Sequence, residues 1–381
     1  MATILILGVK VPFTSGGQDV LVQTLKKELV KRGHRVDLLE LPFSVFPKES
    51  FLEQAAIWRS YELEKFGGEK VDVVIATKFP SYYAHHPKKS LWLVHQHRPL
   101  YDLYGSRYSD ISDDPRDEML RRMLVDGDRR VIGESSYVSG ISKNVVDRLN
   151  RYLGIAAEVL YPPLPQGDNY YRAEPQDYIL SVGRLCSIKR VDLMIKALPF
   201  IHQFVKLKVV GVPDESGVLD YYQNEIAKHH LEDRVEFLGR VEDKELLRLY
   251  AESLAVYYAP HDEDYGYVTL EAMAAGKPVI AAKDSGGVLE FVEHEHTGLV
   301  LDPNSESIGL GINRLVEDKE FASELGLKGK KFVDSSGLAC QGWDSVIAGL
   351  LSPLNPRELS RSSESQTSKP NSSSAVGNLH D

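Results

Sequence analysis

No apolar run in this chain approaches the ~18 residues that a membrane-spanning helix needs. Cysteine is scarce: Cys186 and Cys340 are the only two in 381 residues. They show no metal or redox spacing, which fits a reducing compartment. Positive charge is not in excess, since 45 Lys and Arg face 55 Asp and Glu, for a net charge of −10 and a pI of about 5.7. Bulk nucleic-acid binding is therefore disfavoured. The segment Met1–Gly8 lacks the basic start and the length of a secretory signal, and reads as a first buried strand. Gly8 lies too far from Gly16-Gly17 to build a Gly-x-Gly-x-x-Gly fingerprint, which disfavours a dinucleotide oxidoreductase. No metal-ligand spacing is read, and His85-His86, adjacent in a loop, reads as a surface pair. No Asp-x-Asp is expected to hold a divalent ion at a strand end. The expected location is the cytoplasm, with peripheral association at the inner face of a membrane left open.

What is present is a globular composition, 43 % hydrophobic and 26 % charged, long enough for two domains with sizeable cores. The first half alternates short apolar strands with helical patterns. Strands are expected at Thr3–Leu7, Arg35–Leu39, Val71–Ala76, Leu91–His95, Val131–Gly133, Tyr137–Ile141 and Glu158–Leu160. Continuous apolar runs of this length suit parallel strands buried on both faces. A helix over Gly17–Arg32 completes a βαβ unit. The second half repeats the scheme, with strands at Tyr178–Val182, Leu207–Val210, Val235–Leu238, Ala255–Ala259, Val279–Ala282 and Leu299–Leu301. Its helices are expected near Arg190–Phe204, Leu219–His229, Asp243–Ala251, Tyr267–Ala275 and Ser305–Val316. The join, Tyr161-Pro162-Pro163-Leu164-Pro165-Gln166-Gly167, suits neither helix nor central strand. Beyond Arg357 the chain is low-complexity, with eight serines between Ser360 and Ser374, and is expected to be disordered.

One segment carries most of the functional signal. An apolar strand leads into Pro260-His261-Asp262-Glu263-Asp264-Tyr265-Gly266, and the helical run Tyr267–Ala275 follows, stopped by Gly276 and Pro278. Glu271 is the sole charge in a run that is apolar nearly all round. A carboxylate there is costly unless hydrogen-bonded, and a ligand with paired hydroxyls would satisfy it. Glu263 lies just before the helix start, where free N–H groups attract anions. Carboxylates for hydroxyls beside an amide nest for phosphate describe a nucleotide-sugar site.

Glu263-x7-Glu271 followed by Ala-Met-Ala-Ala-Gly-x-Pro-Val-Ile resembles the retaining GT-B glycosyltransferases of the large family four. The resemblance implies two Rossmann-like α/β domains whose parallel sheets face each other across a cleft. The boundaries it suggests are 1–163 for an acceptor-side domain and 164–337 for a nucleotide-sugar domain. A helix in 338–355, holding Trp343, crosses back, and 356–381 is the tail. Gly183-Arg184-Leu185 with Lys189 looks like the family's Gly-Arg-Leu segment, and Arg184 and Lys189 would neutralise a leaving diphosphate with the amides of Gly266, Tyr267 and Val268. Glu263, near Tyr265, would hold sugar hydroxyls, and Glu271 the ribose diol. Gly16-Gly17 would face the diphosphate, Arg240-Val241 the base, and His95 the reacting sugar. His97 and Arg98 are even between site and structure, and Arg190 receives no role. Gly286-Gly287 would keep side chains out of the sugar's path, and Glu290 would support that loop.

The implied activity is anomer-retaining transfer from a nucleotide diphosphate sugar to a hydroxyl of a glycan, lipid or small molecule, in envelope polysaccharide or glycolipid synthesis. The nucleotide sugar is a co-substrate, so no cofactor and no metal is expected. The alternatives are a GT-B epimerase, a phosphorylase (for which no pyridoxal-lysine context is found) and a non-catalytic two-lobed nucleotide-sugar-binding protein.

Overall fold

A computed structural model describes residues 1–13, 16–338 and 342–355. The Ser-rich tail, Thr14, Ser15 and Cys340 lie outside them.

The chain runs β1 (Thr3–Lys10), α1 (Gly17–Lys31), β2 (Arg35–Pro42), α2 (Ser50–Ser60), the short pair β3 (Lys65–Phe66) and β4 (Glu69–Lys70), then β5 (Val73–Lys78) and β6 (Lys89–His95). It continues through α3 (Pro115–Gly133), β7 (Tyr137–Gly140), α4 (Lys143–Leu153) and β8 (Glu158–Val159). The second half holds β9 (Tyr178–Val182), α5 (Val191–Ala197), β10 (Lys206–Val210), α6 (Val218–Lys228), β11 (Val235–Gly239), α7 (Asp243–Glu252) and β12 (Ala255–Tyr257). It ends with α8 (Tyr267–Ala274), β13 (Val279–Ala282), β14 (Gly298–Leu301), α9 (Ser305–Glu317), α10 (Lys319–Ser335) and α11 (Trp343–Leu350).

Apart from the antiparallel pair β3-β4, these strands form two six-stranded sheets, ordered β2-β1-β5-β6-β7-β8 and β11-β10-β9-β12-β13-β14, with parallel neighbours throughout. The apolar runs are buried as expected of strands covered on both faces: the six inner residues of β1 are all buried. In each sheet the order reverses beside one central strand. The crevice lies between β1 and β5 in the first sheet and between β9 and β12 in the second. Ligands of such sheets bind at the carboxyl ends of the strands flanking that reversal.

Two expectations fail. Val131–Gly133 is the last turn of α3, because Leu120, Leu124, Val131 and Ile132 recur at helical spacing and share its buried face. The helix expected over Arg190–Phe204 stops at Ala197, where Pro199 admits only a short 3-10 turn.

The last helix returns to the first sheet. The Trp343 ring meets Trp92 of β6 edge-on at 6.1 Å, and Ser90 Oγ donates to the Leu350 carbonyl at 2.6 Å. Arg32 at the end of α1 donates to Asp344 at 2.9 Å.

Candidate functional site

A cavity of about 720 Å³ opens between the two sheets at the carboxyl ends of their central strands. Gly16, Gly17 and His95 line it from the first sheet. Arg184, Lys189, Arg240 and Val241 line it from the second, with Glu263, the Tyr265–Val268 segment and Glu271. The structure thus gathers all the residues singled out in the sequence as catalytic or donor-binding around one space.

Glu263 follows β12, and its carboxylate is held by Lys189 from the loop after β9. Lys189 also donates to the Tyr258 hydroxyl at 3.1 Å. Burial opposes the Lys189 charge, but Glu263 and Tyr258 outweigh it and raise its pKa. Gly266 opens α8 with φ +85°, and a Cβ there would lie 2.7 Å from the Tyr258 ring. Both the conformation and the close approach require glycine.

Glu271 is half-buried and reaches the cavity from α8. Tyr250 donates to it at 2.5 Å, and the Tyr170 hydroxyl is a second donor. Its carboxylate therefore already has hydrogen-bond donors from the protein, beside any that the expected ligand diol would add. Burial raises its pKa and the two hydroxyls pull it back. The Tyr267 hydroxyl beside it is buried with no hydrogen-bond partner among the described residues.

Arg184 is half exposed and pairs with Asp214, so it does not share the Glu263 partner of Lys189. A Cβ on Gly16 would sit 3.7 Å from Arg184 Nε, and one on Gly17 would sit 3.4 Å from the Tyr267 ring. The glycine loop of the first sheet thus closes directly onto the second wall.

A second set of charges spans the halves just behind the cavity. Arg98 donates to Asp102 at 2.8 Å, and Arg148 of α4 lies 3.1 Å from the other oxygen of the same carboxylate. From the second half, Asp264 pairs with Arg148 and lies 3.8 Å from Arg98. Asp262 lies 3.4 Å from Arg98 and accepts from Asn144 Nδ2 at 2.7 Å. Glu290 accepts from the backbone N–H groups of Lys143 and Asn144, at 2.9 and 2.8 Å, and so caps the first turn of α4. Burial opposes the Asp264 charge, but Arg98 and Arg148 overcome it and lower its pKa. Asp262-Glu263-Asp264 does have Asp-x-Asp spacing after β12, contrary to the expectation of none. Both aspartates face arginines. Among the described residues no group of three His, Cys, Asp or Glu could hold a metal ion.

Residues 169–332 match the family model described as Glycosyl transferases group 1. That stretch belongs to the group 1 glycosyl transferases. An uncharacterized glycosyltransferase of Methanocaldococcus jannaschii is 32 % identical over 174 residues, 45 % of this chain and 43 % of its relative. A GDP-mannose-dependent alpha-(1-6)-phosphatidylinositol monomannoside mannosyltransferase of Mycobacterium tuberculosis is 28 % identical over 255 residues, 61 % of this chain and 65 % of the other. The chain spans about half the length of the curated relatives it matches. Anabaena HepE, solved with UDP-glucose, superposes with a TM-score of 0.69 at 21 % identity, covering 91 % of this chain and 99 % of that one. Sucrose-phosphate synthase of Thermosynechococcus elongatus gives 0.72 at 19 %, covering 95 % and 100 %. These likenesses show the fold, which is GT-B.

The group 1 glycosyl transferase stretch thus supplies one wall, and the first half supplies the other. In the first wall His95 is held by its Nδ1 contact of 2.6 Å with the Gln96 carbonyl, and burial lowers its pKa to about 4. His97 does not face the cavity. It packs among Phe43, Phe51 and Phe79, and burial lowers its pKa to about 3. His86 is not on the surface: its two ring nitrogens contact the Val71 carbonyl and the Lys88 N–H, and only His85 is exposed. Arg190, given no role, is a buried clamp that donates to the Ala259 and Pro260 carbonyls and to Asp284. A Cβ on Gly286 would lie 2.7 Å from the Glu263 carbonyl, and one on Gly287 2.5 Å from that of Asp264. These glycines give the Glu263 loop room to sit down, rather than clearing a path for sugar.

Sequence reasoning missed Tyr170, Tyr250, Tyr258 and Lys78. The first three carried no signal, being hydroxyls that reach the site from distant positions. Lys78 ends β5, and the strand-end argument that selected His95 would have found it.

Proposed function

We propose that the chain transfers a sugar, with retention at the anomeric carbon, from a nucleotide diphosphate sugar to a hydroxyl acceptor. The observation that carries this reading is the Lys189–Glu263 pair, set in one cavity with Glu271, Arg184 and the start of α8. A carboxylate already held by a lysine can accept from sugar hydroxyls without being reorganised. Glu271, fixed by two tyrosine hydroxyls, retains acceptor capacity for a ribose diol. Arg184 and Lys189, with the α8 amides, would take the charge of the departing diphosphate. For Arg184 this means exchanging Asp214 for a phosphate oxygen. No metal is required in this scheme, because two cations and a helix start meet the charge. The mannosyltransferase and HepE names support a nucleotide-sugar donor.

The acceptor would enter from the first wall, past Gly16-Gly17 and His95. A glycan, lipid or small-molecule acceptor fits a cavity that spans both halves. No helix among the described residues is long and apolar enough to cross a membrane. A cytoplasmic enzyme of envelope polysaccharide or glycolipid synthesis, docked at most peripherally, is the setting we infer.

A panel of UDP-, GDP- and ADP-sugars in a thermal-shift assay tests the donor, since a ligand of the native state raises the melting temperature. The matching donor should also be hydrolysed slowly without acceptor, with the released sugar retaining its anomeric configuration. A panel with no shift, or an inverted product, would remove the proposal.

A further inference from the structure

Among the described residues, Lys78 is a cation without a counter-ion, in the wall opposite the proposed donor residues. It is the last residue of β5, at the reversal point of the first sheet, with the Gly16-Gly17 loop beyond its neighbour β1. Its Cα is in register with His95. The side chain is half-buried and lines the cavity. Among the described residues, no carboxylate, carbonyl or hydroxyl accepts from its ammonium.

Of the nearby charges, Asp19, Lys10 and Arg184 are already paired. Asp19 gives one oxygen to Lys10 at 2.9 Å and the other to the Gly16 N–H at 2.8 Å. Arg184 is taken by Asp214. Glu40 is exposed, and its Cγ lies close to Gly8. Burying an ammonium without a partner is unfavourable, and here burial lowers the Lys78 pKa to about 8. Asp19 opposes this shift, while Arg184 and Lys10 add to it. A half-buried, unpaired lysine at the sheet's reversal point is placed for a ligand that supplies the missing negative charge.

We propose that Lys78 binds an anionic group on the acceptor, a carboxylate or a phosphate monoester, and so restricts the acceptor to acidic molecules. This rests on the reading of the cleft as a glycosyl-transfer site. The donor diphosphate has its own cations across the cavity, Arg184 and Lys189, and leaves Lys78 to the second substrate. A neutral acceptor would enter without satisfying it.

The test uses the full chain saturated with the nucleoside diphosphate that binds it most tightly, titrated by calorimetry with glycerol 3-phosphate, D-glycerate and glycerol. At least one of the two anions should bind, and which one identifies the phosphate or the carboxylate as the group recognised. Glycerol should bind at least tenfold more weakly. Lys78→Met should weaken the anion at least tenfold while leaving nucleoside diphosphate affinity unchanged, and Lys78→Arg should recover part of the loss. If no nucleoside diphosphate binds the wild type, the donor reading itself fails. If one binds but Lys78→Met weakens it as much as it weakens the anion, Lys78 belongs to the donor site and the proposal is overturned. It is equally overturned if neither anion binds better than glycerol. Should Lys78→Met not fold, Lys78→Gln carries the same comparison.

Discussion

Two ionic clusters meet on one short loop and behave differently. Glu263 turns to Lys189 and the cavity, inside the second half. Its neighbours Asp262 and Asp264 turn the other way, to Arg98 and Arg148 of the first half. The loop turns at Asp262, whose φ is +45°, and the Glu263–Gly286 bridge anchors it between the two faces. The Lys189 pair borders open space, so a ligand can join it. The arginine pair cannot be joined so easily: the Arg148 side chain is 3 % exposed and Arg98 10 %. One cluster faces the cavity and the other spans the halves, and the loop links the two.

That distinction can be broken by mutation. Arg148→Ala should have the largest effect, because it leaves Asp102 and Asp264 buried with half their counter-charge. Removing one partner of a buried pair costs about 3–5 kcal/mol, readable in urea melts. A loss below ~1 kcal/mol would mean that the spanning cluster does not hold the closed form. His97→Leu examines burial without pairing. The His97 pKa is depressed in the fold, so the unfolded chain takes up the proton first as pH falls below 6.5. Wild-type stability should therefore drop on acidification from pH 6.5 to 4, and the variant should lose up to about 3 kcal/mol of that drop. Identical acid limbs for the two proteins would show that the His97 site takes up protons as easily as the unfolded chain.

Lys189→Ala should spare stability relative to Arg148→Ala and instead reduce kcat/KM. A charge-assisted hydrogen bond is worth roughly 1.5–3 kcal/mol, or about tenfold to a hundredfold in rate. Equal losses for nucleoside and nucleotide sugar would contradict a role at the diphosphate. Glu290→Gln should weaken the cap on α4 by about 1 kcal/mol and widen the cleft in solution scattering, with donor affinity nearly unchanged. Chelation should have the smallest effect of all: EDTA should leave transfer intact. Activity that vanished with EDTA and returned with magnesium would overturn the metal-free scheme.

The residues of the second cavity wall were legible because their signals are local. A strand end, a glycine with positive φ and a helix start recur within a few residues, and short-range rules locate them. The strands were legible for the same reason, apart from the last turn of α3, where two adjacent buried residues, Val131 and Ile132, mimic a strand. The tyrosines that hold Glu271 come from α7 and from the segment after the join, and nothing at Tyr250 or Tyr170 reports that in sequence. The arginine–aspartate cluster was unreadable in a stronger sense. Arg98 and Arg148 meet Asp262 and Asp264 only when the halves are brought together. Each residue alone looks like a surface charge.

Gly286-Gly287 lies under both clusters. Gly286 has φ +60°, and Cβ atoms at these two positions would press on Asp262, Glu263 and Asp264 alike. The Glu263 carboxylate that faces the cavity and the interdomain clasp therefore rest on a shared seat. An engineer who altered the seat to accept a different sugar would also loosen the clasp. Under the proposed function, changes of sugar preference are better sought in cavity side chains outside the 262–264 loop.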